Sequence, residues 1–397
     1  MGWRRGSTAV RGWAGVRFAA AVVAVVMAAG CGNGAVGVEY GPYSTQRIAG
    51  DYDAPSSLAR GVLAESLRLG EHLAYPGEVD STLRVGRGGG VIVDIDGVND
   101  MLSGAQQRAL SGFAINGGFG AIAADREYRA NQAERMLSMV LLAFPDEQTA
   151  NSAAAAMARA DFDQAAAENA PLSIPGYPAA LAHWRPGVPT IGSWLVVKSV
   201  VIRVFAQLTE ANPDLLTAAV ANAYQRQAPA LDGFAPTTRD QLPKLALDPN
   251  GELTRLVGTA DPTPNNMTFA VYSTHAFAVL VPDPIGSLAA FTKQGVSTIA
   301  VADNKFLYRA KNAEAARALM TYLLETPSTI SYTPISGVAG IDGIRCGQAT
   351  QPNPTEMKPY RFRCFVTRGA SVARVASNQD TDVRWLAAAQ YAVMGDE

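Results

Sequence analysis

Two stretches of this sequence carry the same succession of structural signals about 166 residues apart, and that repeat limits the fold more than any single motif does. In the first stretch, residues 136–144 read as a buried strand and Asp146 opens an alanine-rich helix to about Ala160. Residues 193–207 then read as a strand hairpin, and Asn212-Pro213-Asp214 caps a helix to about Arg226. In the second, a strand over residues 298–309, a helix from Asn312 to Leu324, a hairpin over residues 361–377 and a helix from Asn378 and Asp380 to about Ala392 follow in the same order. Tyr224 and Tyr391 fall at nearly the same offset. An internal duplication is the simplest account, with two unrelated domains of similar composition as the alternative. The fold class predicted is α+β: two related domains, each an antiparallel sheet covered by helices on one face, in the order strand, helix, strand, strand, helix.

What precedes the repeats reads as an export signal. Residues 1–17 hold four arginines and no acid, residues 18–29 are twelve consecutive apolar residues, and Ala28-Ala29-Gly30 sets small side chains before Cys31. With a cysteine directly after the cleavage point, the segment resembles a bacterial lipoprotein signal, although Ala28 stands where such signals more often carry leucine. The resemblance implies acylation of Cys31 and a membrane tether on the outer face of the cell membrane. Twelve residues fall short of the roughly 20 that a spanning helix needs. Arg4-Arg5 is followed by Gly6-Ser7-Thr8 rather than by the apolar residues of a twin-arginine signal.

The domain plan is then a signal peptide at 1–30, an acylated flexible tether at 31–55, an N-terminal α+β domain at 56–235, a linker at 236–267 and a C-terminal α+β domain at 268–397. Ser56 or Ser57 caps a first helix to about Leu73, and residues 91–95 read as a short strand. The glycine runs 86–90 and 117–120 read as a flexible turn and a mobile loop.

Removing residues 1–30 leaves 367 residues with 29 basic and 35 acidic side chains, a net charge of −6. That argues against a nucleic-acid partner, which calls for a clustered basic surface. After Cys31 only Cys346 and Cys364 remain, 18 positions apart and without a C-x-x-C, so neither a zinc nor a redox dithiol motif is present. Alternation through residues 360–366 puts Cys364 on the buried face of a strand. An even pair in an exported chain forms a disulfide, worth about 3 kcal/mol for a loop of this size; two reduced core thiols are the other reading.

The chemistry-bearing residues do not assemble into a known motif. Neither G-x-S-x-G nor a linked set of S-x-x-K, S-D-N and K-T-G occurs. Of three histidines, His72 stands near a helix end, His183 precedes Trp184, and His275 lies in an apolar segment read as a strand. Asp94, Asp96 and Asp100 miss the spacing of a calcium loop. Gly86 to Gly90 match no phosphate-binding motif, and Gly32, Gly34 and Gly37 match G-x-G-x-x-G only by spacing, with no strand before them and no helix after. A ligand pocket between sheet and helices would be lined by Trp184, Trp194, Phe205 and Tyr224, although aromatics at such spacing more often form plain core.

Taken together, the acylable Cys31, the duplicated unit with the phrase Asn212-Pro213-Asp214-Leu215-Leu216, and the C-terminal pair Cys346 and Cys364 resemble a family of actinobacterial, mycobacterial-type cell-envelope lipoproteins of unknown function. The excess of 27 arginines over 6 lysines suits the GC-rich genomes of that group. The resemblance spans nearly the whole chain after the signal and implies an address and a fold, not a reaction. A likeness to extracellular sensing domains of actinobacterial kinases is topological only. The functional reading is a non-enzymatic binding or interaction module, without cofactor or metal, for a lipid, a glycan or an envelope protein. An envelope hydrolase or transferase with His275 and Asp94/Asp96 as its handles, and a purely structural interaction protein, are the alternatives.

Overall fold

The computed structural model describes residues 37–50, 52–54, 56–94, 101–127, 134–258, 269–326, 331–350 and 360–395. Cys31 and the signal segment, Asp96 and Asp100 lie outside them. The first half runs α1 (Leu58–Gly70), α2 (Pro76–Val79), β1 (Val85–Ile92), α3 (Gly104–Leu110), β2 (Gly117–Ala124), β3 (Met136–Ala143) and α4 (Glu147–Phe162). It continues through β4 (Ala170–Pro171), β5 (Leu181–Trp184), β6 (Thr190–Val197) and β7 (Val200–Gln207) to α5 (Pro213–Ala230). The second half runs β8 (Phe269–Tyr272), α6 (Thr274–Ala278), α7 (Pro284–Gln294), β9 (Ile299–Ala302), β10 (Lys305–Arg309), α8 (Ala313–Glu325), β11 (Tyr332–Ile335), β12 (Ile344–Ala349), β13 (Phe362–Arg368), β14 (Ser371–Ser377) and α9 (Asp380–Met394).

Each half is an antiparallel seven-stranded sheet. The first has the order β1-β2-β3-β7-β6-β5-β4 and the second, from the corresponding edge, β8-β9-β10-β14-β13-β12-β11. In both, a three-strand meander is followed by a helix, a four-strand meander returns so that its last strand pairs with the third, and a closing helix ends the unit. The equivalence extends to single residues. Ala143 pairs with Val200 at the end of β3/β7 as Arg309 pairs with Ser371 at the end of β10/β14. The following hairpin turns both place a residue in the left-handed region, Lys198 at φ 56° and Gly369 at φ 54°. Asp146, Asn212 and Asn312 cap α4, α5 and α8 by accepting backbone N–H groups, each worth about 1 kcal/mol. Asn378 instead accepts the N–H of Arg361, and α9 starts after Gln379 without a side-chain cap.

Helices lie on both faces of each sheet, not on one. Along β7, Val201 points into a core shared with α4 residues Ala150, Ala153 and Met157, while Val200, Ile202 and Val204 point into the core shared with α5 residues Leu216, Val220 and Ala223. Period-2 alternation makes this unavoidable: a strand apolar at every position must be covered twice. The first of these cores is private to the first half. The second is continuous with the core of the second half, where Ala316 and Leu319 of α8 are buried and Leu323 is only partly so.

Three expectations are corrected by packing. The glycine runs are strand, not loop. Gly88, Gly89 and Gly90 have φ of 99°, 155° and 129° in a bulged β1, and a Cβ on Gly89 would sit 2.2 Å from the Gly120 carbonyl oxygen. In β2, a Cβ on Gly120 would meet Met101 at 2.3 Å, so these glycines mark close approach rather than a break. The tether ends early, because residues 38–48 are strapped to α9. The Glu39 carboxylate accepts the Trp385 indole N–H (3.2 Å), Tyr43 donates to Asp382 (2.8 Å), and Arg47 donates to the carbonyls of Val393 and Met394 (3.1 and 2.7 Å), which the helix end leaves unpaired. The region between the halves is mortar rather than a loose linker. Leu242 and Leu247 are buried, as are Leu253, Leu256 and Val257, and Gln390 of α9 bonds Val257 N–H and the Arg255 carbonyl.

Candidate functional site

A cleft of about 600 Å³ opens beside α5, within the range of small-ligand sites. One wall is the helix flank Leu215, Ala218, Ala219 and Asn222, spaced so that a single side of the helix presents all four. The start of β3 supplies Met136 and Leu137, the segment after β7 supplies Leu208, Thr209 and Glu210, and Val79, Asp80, Ser81 and Leu83 close the far side. Leu83 and Leu137 are buried and form an apolar floor, while Leu215 is 49% exposed at the mouth. On the rim, Arg135 pairs with Asp80 at 2.5 Å and donates to Thr82 at 3.2 Å. Gln207 donates to the Glu134 carbonyl at 3.0 Å. Such a lining suits a molecule with an apolar body and a polar group; the Thr82 hydroxyl on the rim donates to Asp80 at 2.7 Å, and Asp80 is held by Arg135.

A second group of polar residues lies between the first sheet and helices α3 and α4, with Gln106, His183 and Arg203 buried, Asp161 half-buried and Ser103 exposed. Asp161 is its hub, accepting from Ser103 at 2.7 Å and Gln106 at 2.8 Å, with His183 Nε2 at 3.3 Å. His183 stacks on Trp194, with ring centroids 5.4 Å apart. Burial alone would raise the Asp161 carboxyl, but bonds from His183, Gln106 and Ser103 and the charge of Arg203 outweigh it and bring it down to about 2. Burial also pulls the Arg203 guanidinium down to about 10. A serine, a histidine and an aspartate meet here, yet the carboxylate stands in the middle. A hydrolytic triad needs the imidazole there, able to take the serine proton. The cluster ties α3, α4 and β5 together.

The sheet separates the four aromatics expected to line a pocket. Tyr224 donates to Ser193 at 2.8 Å on the α5 face, and Trp184, opposite Ile191, packs on that same face. Trp194 and Phe205 face α4 instead, with Arg203 lying 5.4 Å from the Phe205 ring centre. Trp194 and Tyr224 are fully buried core, and none of the four lines the α5 cleft. His275 lies in the short helix α6, not in a strand. It stacks on Tyr75 at 4.2 Å, and its Nε2 is 2.8 Å from the Leu73 carbonyl, so it joins the halves. His72 Nδ1 lies 2.8 Å from the Ala230 carbonyl. Asp94 is exposed. Cys346 and Cys364 stand directly opposite each other on β12 and β13 and form a disulfide, Cα–Cα 4.0 Å. Among the described residues no His, Cys, Asp and Glu group could hold a metal ion, and no helix is long and apolar enough to cross a membrane.

The cleft carries no aromatic signal in the sequence: its lining is aliphatic, with charged, hydroxyl and amide side chains at the rim. One signal was there to be read. Leu215 and Leu216 are adjacent just after the Asn212 cap, and adjacent helix positions diverge by about 100°, so only one of the two can face the sheet.

Residues 52–247 match the family model described as the N-terminal domain of unknown function DUF7373, and residues 252–397 match its C-terminal counterpart. No curated protein matches the chain. Among solved structures, the extracellular domain of PknH from Mycobacterium tuberculosis is similar at 14% identity, covering 46% of this chain and 100% of that one, with a TM-score of 0.27. A likeness that low carries no argument about function.

Proposed function

The chain belongs to the DUF7373 family, whose two domains are of unknown function, and from that premise we propose that it is an exported, lipid-anchored, non-enzymatic binding module whose ligand occupies the cleft beside α5. The observation that carries this reading is the cleft itself, with its apolar floor, paired ions on the rim, and a leucine left 49% exposed at its mouth. The anchor belongs to the same proposal: the basic, apolar and small-residue segments before Cys31 have the order of a lipoprotein signal, and the Cys346–Cys364 disulfide suits an oxidising compartment.

Two measurements test it. Native mass spectrometry of protein purified from cell envelopes should find a co-purifying lipid, glycan or polypeptide, lost in Leu215→Asp; protein that carries nothing, or a ligand held equally well by the variant, would end the reading. Cys31→Ala should leave the membrane fraction and take up no labelled fatty acid. Continued acylation would refute the anchor.

A further inference from the structure

The two closing helices are equivalent, yet the flank that is covered on α9 lines, among the described residues, an open cleft on α5. Counted from their N-caps Asn212 and Gln379, Leu215 stands where Asp382 stands and Ala218 where Trp385 stands. The buried positions agree under this alignment: Leu216, Val220 and Gln227 are buried, as are Val383, Ala387 and Met394. The neighbouring flank does not agree. Leu386, Ala389 and Val393 are at most 2% exposed, whereas their counterparts Ala219, Asn222 and Arg226 are half-buried or exposed.

Part of the difference is the peptide lying on α9, next to the 253–257 segment that bonds Gln390. Residues 38–48, which have no regular secondary structure, cross the Asp382 and Trp385 flank. Gly41 sits at φ 55° so close to the indole that a Cβ would be 2.4 Å from it, and Tyr43 donates to Asp382. On α5 that place is the cleft. From this we infer that the cleft is a peptide groove, built to receive an irregular polypeptide segment of a partner as α9 receives residues 38–48 of its own chain. This rests on the cleft being a binding site and adds what binds there.

The side chains specify the segment. In the second half the helix supplies the bulk, Trp385, and the strap supplies glycine; in the first half the helix supplies only Ala218, so the incoming segment brings a large apolar side chain to the Gly41 position. Leu215 replaces Asp382, so the residue at the Tyr43 position is apolar rather than a hydroxyl donor. Exposed Glu210 on the rim makes no hydrogen bond or ion pair among the described residues and favours a basic residue nearby.

The probe is a labelled synthetic peptide of residues 38–48 carrying Gly41→Trp and Tyr43→Leu, with the unaltered 38–48 peptide as its control, titrated onto the full chain by fluorescence anisotropy. The altered peptide should bind the wild type at least about tenfold more tightly than it binds Ala218→Trp. The double variant Leu215→Asp with Ala218→Trp gives α5 the α9 surface and should reverse the preference, binding the unaltered peptide instead. Both positions are exposed, and an unchanged thermal midpoint for the variants confirms that the fold is intact. No binding of either peptide below about 1 mM, or binding indifferent to the substitutions, overturns the inference. A co-purified lipid displaced by Ala218→Trp would also overturn it while leaving the binding-module reading in place.

Discussion

The two halves follow one backbone path and fill it with different chemistry. Aligned through their terminal pairs, Ser193 on β6 corresponds to Cys364 on β13, and Met139 on β3 to Lys305 on β10. One position is held in the first half by a Tyr224–Ser193 hydrogen bond and in the second by the Cys346–Cys364 disulfide. Arg203 and Arg374 correspond as well, the first buried with Asp161 nearby, the second 3.9 Å over the Phe306 ring. Strand order and pairing therefore survive side-chain replacement, because backbone hydrogen bonds and alternation set them, while each interior position needs only a local fill of suitable size and polarity.

The largest expected difference between the halves is redox. Cys346→Ser with Cys364→Ser should cost about 3 kcal/mol, from the loop freed in the unfolded chain. A reductant should lower the thermal midpoint of the wild type and leave that of the double variant unmoved, and two titratable thiols in protein isolated under alkylating conditions would remove the disulfide. Next comes the strap. Gly41→Val meets both a left-handed backbone and the Trp385 ring and should cost about 2 kcal/mol, with faster hydrogen exchange at the C-terminal end of α9. If exchange there is unchanged, the strap does not clamp the helix.

In the first half, Tyr224→Phe should cost only about 1 kcal/mol, because Ser193 keeps its bond to the Leu181 carbonyl. A loss as large as that of the cysteine pair would mean the two positions are not alternatives. The smallest effect expected is Lys305→Met, which copies Met139. Burial lowers the Lys305 ammonium to about 8, against the opposing charge of Asp303. A folded value below the unfolded one of about 10.4 means that the charged form is disfavoured in the fold, so wild-type stability should rise as pH passes from about 8 to about 10. The variant should lack this rise, so any advantage it holds at pH 7 should shrink between about pH 8 and about pH 10. A gain independent of pH would place the cause in packing instead.

The repeat was legible from particular residues: the caps Asp146, Asn212 and Asn312, the hairpins ending at Gln207 and Ser377, and the alternation around Cys364. The glycine strands β1 and β2 were not legible, since locally a glycine that permits close approach looks the same as one that breaks a strand. His275 reads as strand because the apolar stretches either side of Ser273-Thr274-His275 look continuous, and a short apolar run does not distinguish strand from helix; Ser273 capping Ala276 decides it. The aromatic pocket failed for a different reason. Side chains spread over β5, β6, β7 and α5 can be assigned to a face only when register is known, and one residue of register moves each to the other side of the sheet.

What this chain's sequence determines by itself is whatever depends on neighbours along the chain. Caps, periodicities and, through them, the duplicated order of elements follow from residues a few positions apart, since local hydrogen bonds and alternation are local physics. The tertiary structure alone decided the rest. It put residues 38–48 on a helix more than 330 positions away, turned residues 242–257 into a seam, and left one flank of α5 lining a cleft among the described residues where its twin is covered. Those outcomes depend on which surfaces meet, and burial is non-directional: it rewards any apolar contact of fitting shape and leaves no mark in the order of residues.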